Sequence, residues 1–225
     1  ADDRRVRAGV PLHGPNLFPT AIPDFRNTVL EYMEALTGLG HALMRGVALS
    51  LGLEATYFQE RFMADPLTLF RVFHYPPGGR DAEDEERWGV GEHTDYGVLT
   101  ILKQDDVGGL QIKSKSAWID APPVPNSFVC NIGDMLDRLT SGLYRSTPHR
   151  VRNLSGRGRL SFPFFFDPSF DARIESVDSS RAPISGDEEQ ARWDGQDIHA
   201  FEGTYGEYIV AKVSKVFPVL GGDVT

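Results

Sequence analysis

The sequence is short of several things at once. Its 225 residues hold a single cysteine, Cys130, which excludes an intrachain disulfide and fits a reducing compartment. Basic residues are outnumbered, 23 Lys+Arg against 32 Asp+Glu, for a formal net charge of -9. Nucleic-acid binders normally show a basic face, so that class is disfavoured. No uncharged apolar run approaches the roughly 20 residues that cross a bilayer. The opening Ala1-Asp2-Asp3-Arg4-Arg5 has no apolar stretch of the signal-peptide kind. Internal repeats and low-complexity tracts are absent too. The expectation is a soluble, cytoplasmic protein without nucleic-acid or membrane partners, its oligomeric state open.

What is present is ordinary for a globular chain, with 40% hydrophobic and 24% charged residues, and disorder is not expected. The length fits a single domain, or two small ones at most, and a chain of this size can bury about 70% of the surface that its unfolded form exposes. Pro11, Gly14, Pro15, Pro19 and Pro23 make the start irregular or extended. Asp24 can then cap a helix, and Val29, Met33, Leu36, Leu39, Leu43 and Val47 form its amphipathic stripe. Gly38 and Gly40 either weaken that helix or allow close packing. A second short helix is expected over 54–63, and 69–75 is rich in aromatic and branched residues. The acid-dense stretch 80–87 reads as a solvated loop, or more sharply as a lid beside a pocket.

Short strand candidates follow at 98–102, 109–112, 128–132, 149–152 and 159–166, separated by Gly, Pro, Asn and Asp. Such spacing predicts a β-sandwich or barrel. Gly133-Asp134 resembles a turn plus N-cap for a brief helix over 135–139, and 204–217 predicts a final helix. The plan is mainly β with flanking helices: a helical flank at 1–66, a β core at 67–175 and a helical segment at 176–225.

Chemistry enters with His93-Thr94-Asp95. Residues two apart in an extended segment project from one face, so an imidazole and a carboxylate can converge. His149, on a distant strand candidate, offers a second imidazole. Two His and one carboxylate on one face of an ion form the facial triad of non-heme Fe(II) oxygenases. Three protein ligands leave open positions, the mark of a catalytic metal. Ten residues on, Arg159 and Ser161 again share a strand face, and together they form a clamp for a carboxylate. Arg159 leads into Ser161-Phe162-Pro163-Phe164-Phe165-Phe166, a segment expected to be buried, and a buried Arg requires an anion. Phe162, Phe164 and Phe166 should face away from the clamp into the core, with Phe165 on the pocket side.

The order of these motifs resembles the isopenicillin N synthase-like family of 2-oxoglutarate and Fe(II)-dependent dioxygenases. The resemblance is carried by Gly91-Glu92-His93-Thr94-Asp95-Tyr96-Gly97, Gly109-Leu110-Gln111-Ile112, Pro122-Pro123-Val124-Pro125, Asn131-Ile132-Gly133-Asp134-Met135-Leu136, Ser146-Thr147-Pro148-His149-Arg150-Val151 and Arg159-Leu160-Ser161. It implies a double-stranded β-helix, a jelly-roll barrel with the metal inside its mouth. By the same resemblance His93, Asp95 and His149 hold Fe(II), while Arg159 and Ser161 hold the distal carboxylate of 2-oxoglutarate, O₂ being the other cosubstrate. Tyr75 falls where many relatives place a tyrosine that touches the same carboxylate. The implied activity is oxidation, above all hydroxylation, of an unactivated C–H of a small organic molecule, with 2-oxoglutarate converted to succinate.

Two departures accompany this. Many plant relatives read Asn-x-Tyr where this chain has Phe73-His74-Tyr75, and relatives usually carry a longer N-terminal region. Alternatives are therefore a 2-oxoglutarate-independent oxidase of the isopenicillin N synthase type, in which Arg159 grips the substrate's own carboxylate, and an inactive ligand-binding barrel. Of the remaining candidates, His13, His41, His74 and His199 are expected to be structural or exposed, and Cys130 a core thiol. Trp118 is expected under a turn, Asn131 and Asp134 as turn and cap residues, and Gln111 at the pocket or in a structural hydrogen bond.

Overall fold

The computed structural model describes residues 3–77, 89–114, 117–178, 194–195 and 197–217; the expected loop or lid at 80–87 lies outside them. Three helices come first: α1 (Arg4–Arg7), α2 (Phe25–Ser50) and α3 (Tyr57–Arg61). Strands β1 (Pro66–Phe70), β2 (Phe73–Tyr75), β3 (Val90–His93), β4 (Leu99–Gln104), β5 (Leu110–Ser114), β6 (Ala117–Asp120) and β7 (Val129–Ile132) follow. After α4 (Asp134–Leu139) come β8 (His149–Val151), β9 (Arg159–Ser169) and α5 (Tyr205–Ser214). One antiparallel sheet runs β1-β9-β4-β7 with β2 also on β9, and the other runs β3-β8-β5-β6. A cavity lies between them, lined from both. This is the expected jelly-roll barrel with helices outside. Among the described residues no helix is long and apolar enough to cross a membrane.

The strand β9 organises the molecule because both its faces are spoken for. Phe164 and Phe166 are fully buried in the main core, each side chain stabilising the fold by roughly 1.5–3 kcal/mol. On the opposite phase Arg159, Ser161, Pro163, Phe165 and Asp167 line the cavity, as strand alternation requires. A proline is unusual inside a sheet, having no N–H for the ladder. Pro163 accepts Arg71 N–H at its carbonyl (3.1 Å), on the side where β1 gives way to β2. Its missing donor therefore falls at a break in that ladder.

The helices pack on the far side of this sheet. In α2 the deepest positions are Leu36, Gly40, Met44 and Ala48, a strict four-residue row, with Met33, Leu39, Leu43 and Val47 packed beside it. Gly40 is there for close approach: a Cβ would meet the Phe166 ring at 2.9 Å. Asp24 precedes α2 in the left-handed region (φ 60) and its side chain makes no capping bond, so the expected cap is not formed. The α4 cap is Gly133, and Asp134 lies inside the helix, one residue from its expected place. In α5, by contrast, Thr204 and Glu207 form a reciprocal capping box. Replacing Thr204 by alanine should cost about 1 kcal/mol, visible as a drop of roughly 2–4 °C in melting temperature.

Candidate active site

The register of β3 against β8 sets His93 directly opposite His149, so two residues far apart in sequence become cross-strand neighbours. Their ring centroids lie 4.2 Å apart. The His93 Nδ1 meets Gly91 O at 2.8 Å and the His149 Nδ1 meets Thr147 O at 3.2 Å. A carbonyl can only accept, so both Nδ1 atoms carry the proton and both Nε2 lone pairs point inward, that of His149 met only by the long contact from Asn131 Nδ2 at 3.5 Å. Asp95 sits just beyond β3 in a loop tied to the start of α4. Asp134 N–H donates to Asp95 O (2.8 Å) and Met135 N–H to Gly97 O (2.9 Å). This approach depends on Gly133, where a Cβ would collide with Gly97 O.

The result is a convergence of electron-rich atoms. One ligand atom from each of His93, Asp95 and His149 lies within 4.8 Å of the others. The Asp95 carboxylate stands 3.9 Å from His93 Nε2 and 3.7 Å from His149 Nε2. Its Oδ2 is buried and makes no hydrogen bond among the described residues. A buried carboxylate oxygen is costly without a donor or a cation, and the two lone pairs facing it add repulsion. Burial also holds His149 below the ordinary imidazole pKa, against the opposing pull of Asp95, which favours the neutral ligand form. The donor set, two imidazoles and one carboxylate, fits a divalent ion of the Fe(II) type.

Farther along the same cavity, of about 710 Å³, lies the Arg159 guanidinium. Arg159 is 0% exposed and Ser161 2% exposed, and both line the cavity with Tyr75. Tyr75 pairs with Arg159 across β2 and β9, its ring 4.9 Å from the guanidinium carbon, within cation–π range. Nη2 of Arg159 donates to Gln104 Oε1 (2.9 Å), while Nε and Nη1 are buried and make no hydrogen bond of ordinary geometry among the described residues, Tyr75 and Asp105 offsetting part of the cost of burying the charge. A buried cation with idle donors fits a carboxylate that arrives with a ligand.

Other expectations fare unevenly. Phe165 lines the cavity and Phe164 and Phe166 the core, but Phe162 is only half-buried. Gln111 is held by Asp120 and Arg150 (2.9 and 2.8 Å), the structural alternative. Trp118 lies in β6 beneath the Arg150 guanidinium, 3.9 Å from its ring centroid, rather than under a turn. Cys130 is exposed, not a core thiol, because it lies on β7 at the edge of its sheet. Asn131 is a buried residue of the same strand, its Nδ2 3.5 Å from His149 Nε2, rather than a turn residue.

Sequence reasoning passed over Gln104 and Asp167. The latter lines the cavity on the same phase of β9 as Arg159, a periodicity that would have placed it. Tyr205 donates to its Oδ2 at 2.6 Å. Burial raises its pKa to about 7, with a further push from Asp95 and an opposing one from the Tyr205 bond.

With this geometry in place the likenesses to known proteins become interpretable. Residues 66–168 match the model of the 2OG-Fe(II) oxygenase superfamily. A Dictyostelium discoideum protein named as a probable iron/ascorbate oxidoreductase is 51% identical, covering 99% of this chain and 67% of its own length. A homoarginine-6-hydroxylase of Glycine max is 38% identical over 91% of this chain and 60% of its own. A full-length Neurospora crassa protein, solved in complex with alpha-KG and thymine, superimposes with a TM-score of 0.78 at 30% identity, covering 92% of this chain and 62% of that one. The chain belongs to the 2OG-Fe(II) oxygenase superfamily, and it spans about two thirds of the length of these relatives.

Proposed function

We propose that the protein is a 2-oxoglutarate-dependent oxygenase that hydroxylates a small organic molecule, with His93, Asp95 and His149 as the iron ligands. Arg159 and Ser161 bind the distal carboxylate of 2-oxoglutarate, and Tyr75 flanks it. The observation that carries this reading is a single cavity holding both unsatisfied sites: a carboxylate oxygen without a donor at Asp95 and guanidinium donors without an acceptor at Arg159. When bound, iron with 2-oxoglutarate and O₂ supplies an oxidant able to remove hydrogen from an unactivated C–H, and 2-oxoglutarate leaves as succinate and CO₂.

The chain's own residues do the positioning. Gly91 O and Thr147 O fix both imidazole tautomers so that Nε2 faces the ion. Arg159 orients one end of the cosubstrate by charge-assisted bonds, and Phe73 and Phe165 give the cavity apolar walls that exclude water from the reaction. The cavity is in the size range of small-ligand pockets.

Phe73 also favours a second reading. It lines the cavity where a polar cosubstrate contact stands in many relatives, so Arg159 would instead grip a carboxylate of the substrate itself. Direct measurement of 2-oxoglutarate binding and succinate release separates the two. On the proposed reading Arg159→Ala loses about 3 kcal/mol of charge-assisted bonding, a roughly 150-fold rise in the 2-oxoglutarate Kd. An unchanged Kd together with no succinate in the parent protein would favour the second reading.

A further inference from the structure

Arg159 reaches the cavity from β9, but what holds it comes from the neighbouring strand. Gln104 is 8% exposed and stands behind the guanidinium rather than in the cavity wall. On β4 its backbone pairs with that of Ser161, the other half of the clamp. Its Nε2 donates to Ala121 O at 3.3 Å, which fixes the amide so that Oε1 faces Arg159, and Oε1 accepts from Nη2 at 2.9 Å.

The choice of an amide matters chemically. A carboxylate at this point would neutralise the guanidinium and compete for its remaining donors. A neutral acceptor occupies one corner of the fork and leaves the charge intact. The nearest acid in sequence, Asp105, is engaged elsewhere: its oxygens accept from Val107 N–H and from Leu160 N–H. Asp105 attracts the guanidinium from a distance, and among the described residues no carboxylate lies within ion-pair distance of Arg159. The buried cation is thus anchored without being satisfied.

We infer that Gln104 is the positioning residue of the carboxylate clamp, holding the Arg159 guanidinium by one nitrogen so that Nε and Nη1 are left without a hydrogen-bond partner. The inference rests on the proposed role of Arg159 as the 2-oxoglutarate clamp, and the experiment separates the two. Gln104→Glu, Gln104→Met and Arg159→Ala would be loaded with Mn(II), titrated anaerobically with 2-oxoglutarate by calorimetry, and their melting temperatures recorded.

Gln104→Glu should raise the 2-oxoglutarate Kd roughly tenfold or more; it loses the donor to Ala121 O, but its carboxylate pairs with Arg159, so its melting temperature should fall less than that of Gln104→Met. Gln104→Met keeps the charge but loses the tether, so its Kd should rise less even though its melting temperature falls more. A purely structural role predicts the reverse order, with Met the poorer binder, and that order would overturn the inference. Parent-like affinity in Gln104→Glu, with affinity lost in Arg159→Ala, would overturn it too while leaving the clamp standing. Parent-like affinity in Arg159→Ala would remove the clamp and the inference together.

Discussion

Replacing His149 by alanine is expected to abolish substrate-dependent 2-oxoglutarate turnover and to weaken Fe(II) binding by well over the roughly 10–100-fold that loss of an outer partner typically costs. The expectation is large because His149 has no substitute nearby. It is 6% exposed, set by register opposite His93, and among the described residues these two His with Asp95 form the one cluster of three possible metal ligands. Removing its ring leaves two ligands and an Asp95 oxygen still buried without a donor. Metal content after dialysis and succinate production would check the prediction on folded variant protein. Near-parental turnover in a metal-loaded His149→Ala preparation would contradict the ligand assignment.

The convergence of these residues was legible in the sequence for a physical reason. Strand alternation puts Arg159 and Ser161 on one face of β9, whereas Asp95, two residues after His93 but beyond the end of β3, is brought beside it by the loop tied to α4. The strands that carry β-branched and aromatic residues between turn signals, β4, β7 and β9, were visible too. The strands that escaped, β3 and β6, have four residues each and no periodicity to read, and the short helix α1 falls in a start read as irregular or extended. Depth was harder than type. Cys130 sits in an apolar stretch yet faces outward from an edge strand, and Asn131 beside it is buried against His149. Gln104 was invisible because its role depends on Ala121 and Arg159, which the chain brings to it from 17 and 55 residues away. No local pattern encodes such a contact.

Asp167→Asn is expected to make the metal-free protein more stable at neutral and alkaline pH. In the fold the Asp167 pKa stands at about 7, while in an unfolded chain an aspartate titrates near 3.9. Below about pH 4 both states hold the proton and the group is without effect. As pH rises toward 7 the unfolded chain releases its proton while the folded protein retains it, so stability falls. Above that the carboxylate is ionised in both states and the folded protein bears the full cost of its burial, on the order of 4 kcal/mol for a shift of about three units.

Asparagine keeps the acceptor for Tyr205 and removes the ionisation. Denaturant unfolding of parent and variant between pH 4 and 8.5 should show a stability difference that grows in favour of the variant up to about pH 7 and then levels off. A difference that does not change with pH would mean that Asp167 is not held protonated by its surroundings. The same group explains why Gly97 has no side chain: a Cβ there would overlap Asp167 Oδ1.

The central claim is that one cavity brings an iron site and a cosubstrate clamp together, and an anaerobic visible-absorption titration tests it most directly. Protein loaded with Fe(II) would be titrated with 2-oxoglutarate beside the Arg159→Ala variant. The account predicts a saturable metal-to-ligand charge-transfer band in the parent, with a much higher half-saturation concentration in the variant. Confirmed iron binding with no band at any 2-oxoglutarate concentration would contradict it, and would leave Arg159 to serve a carboxylate on the substrate.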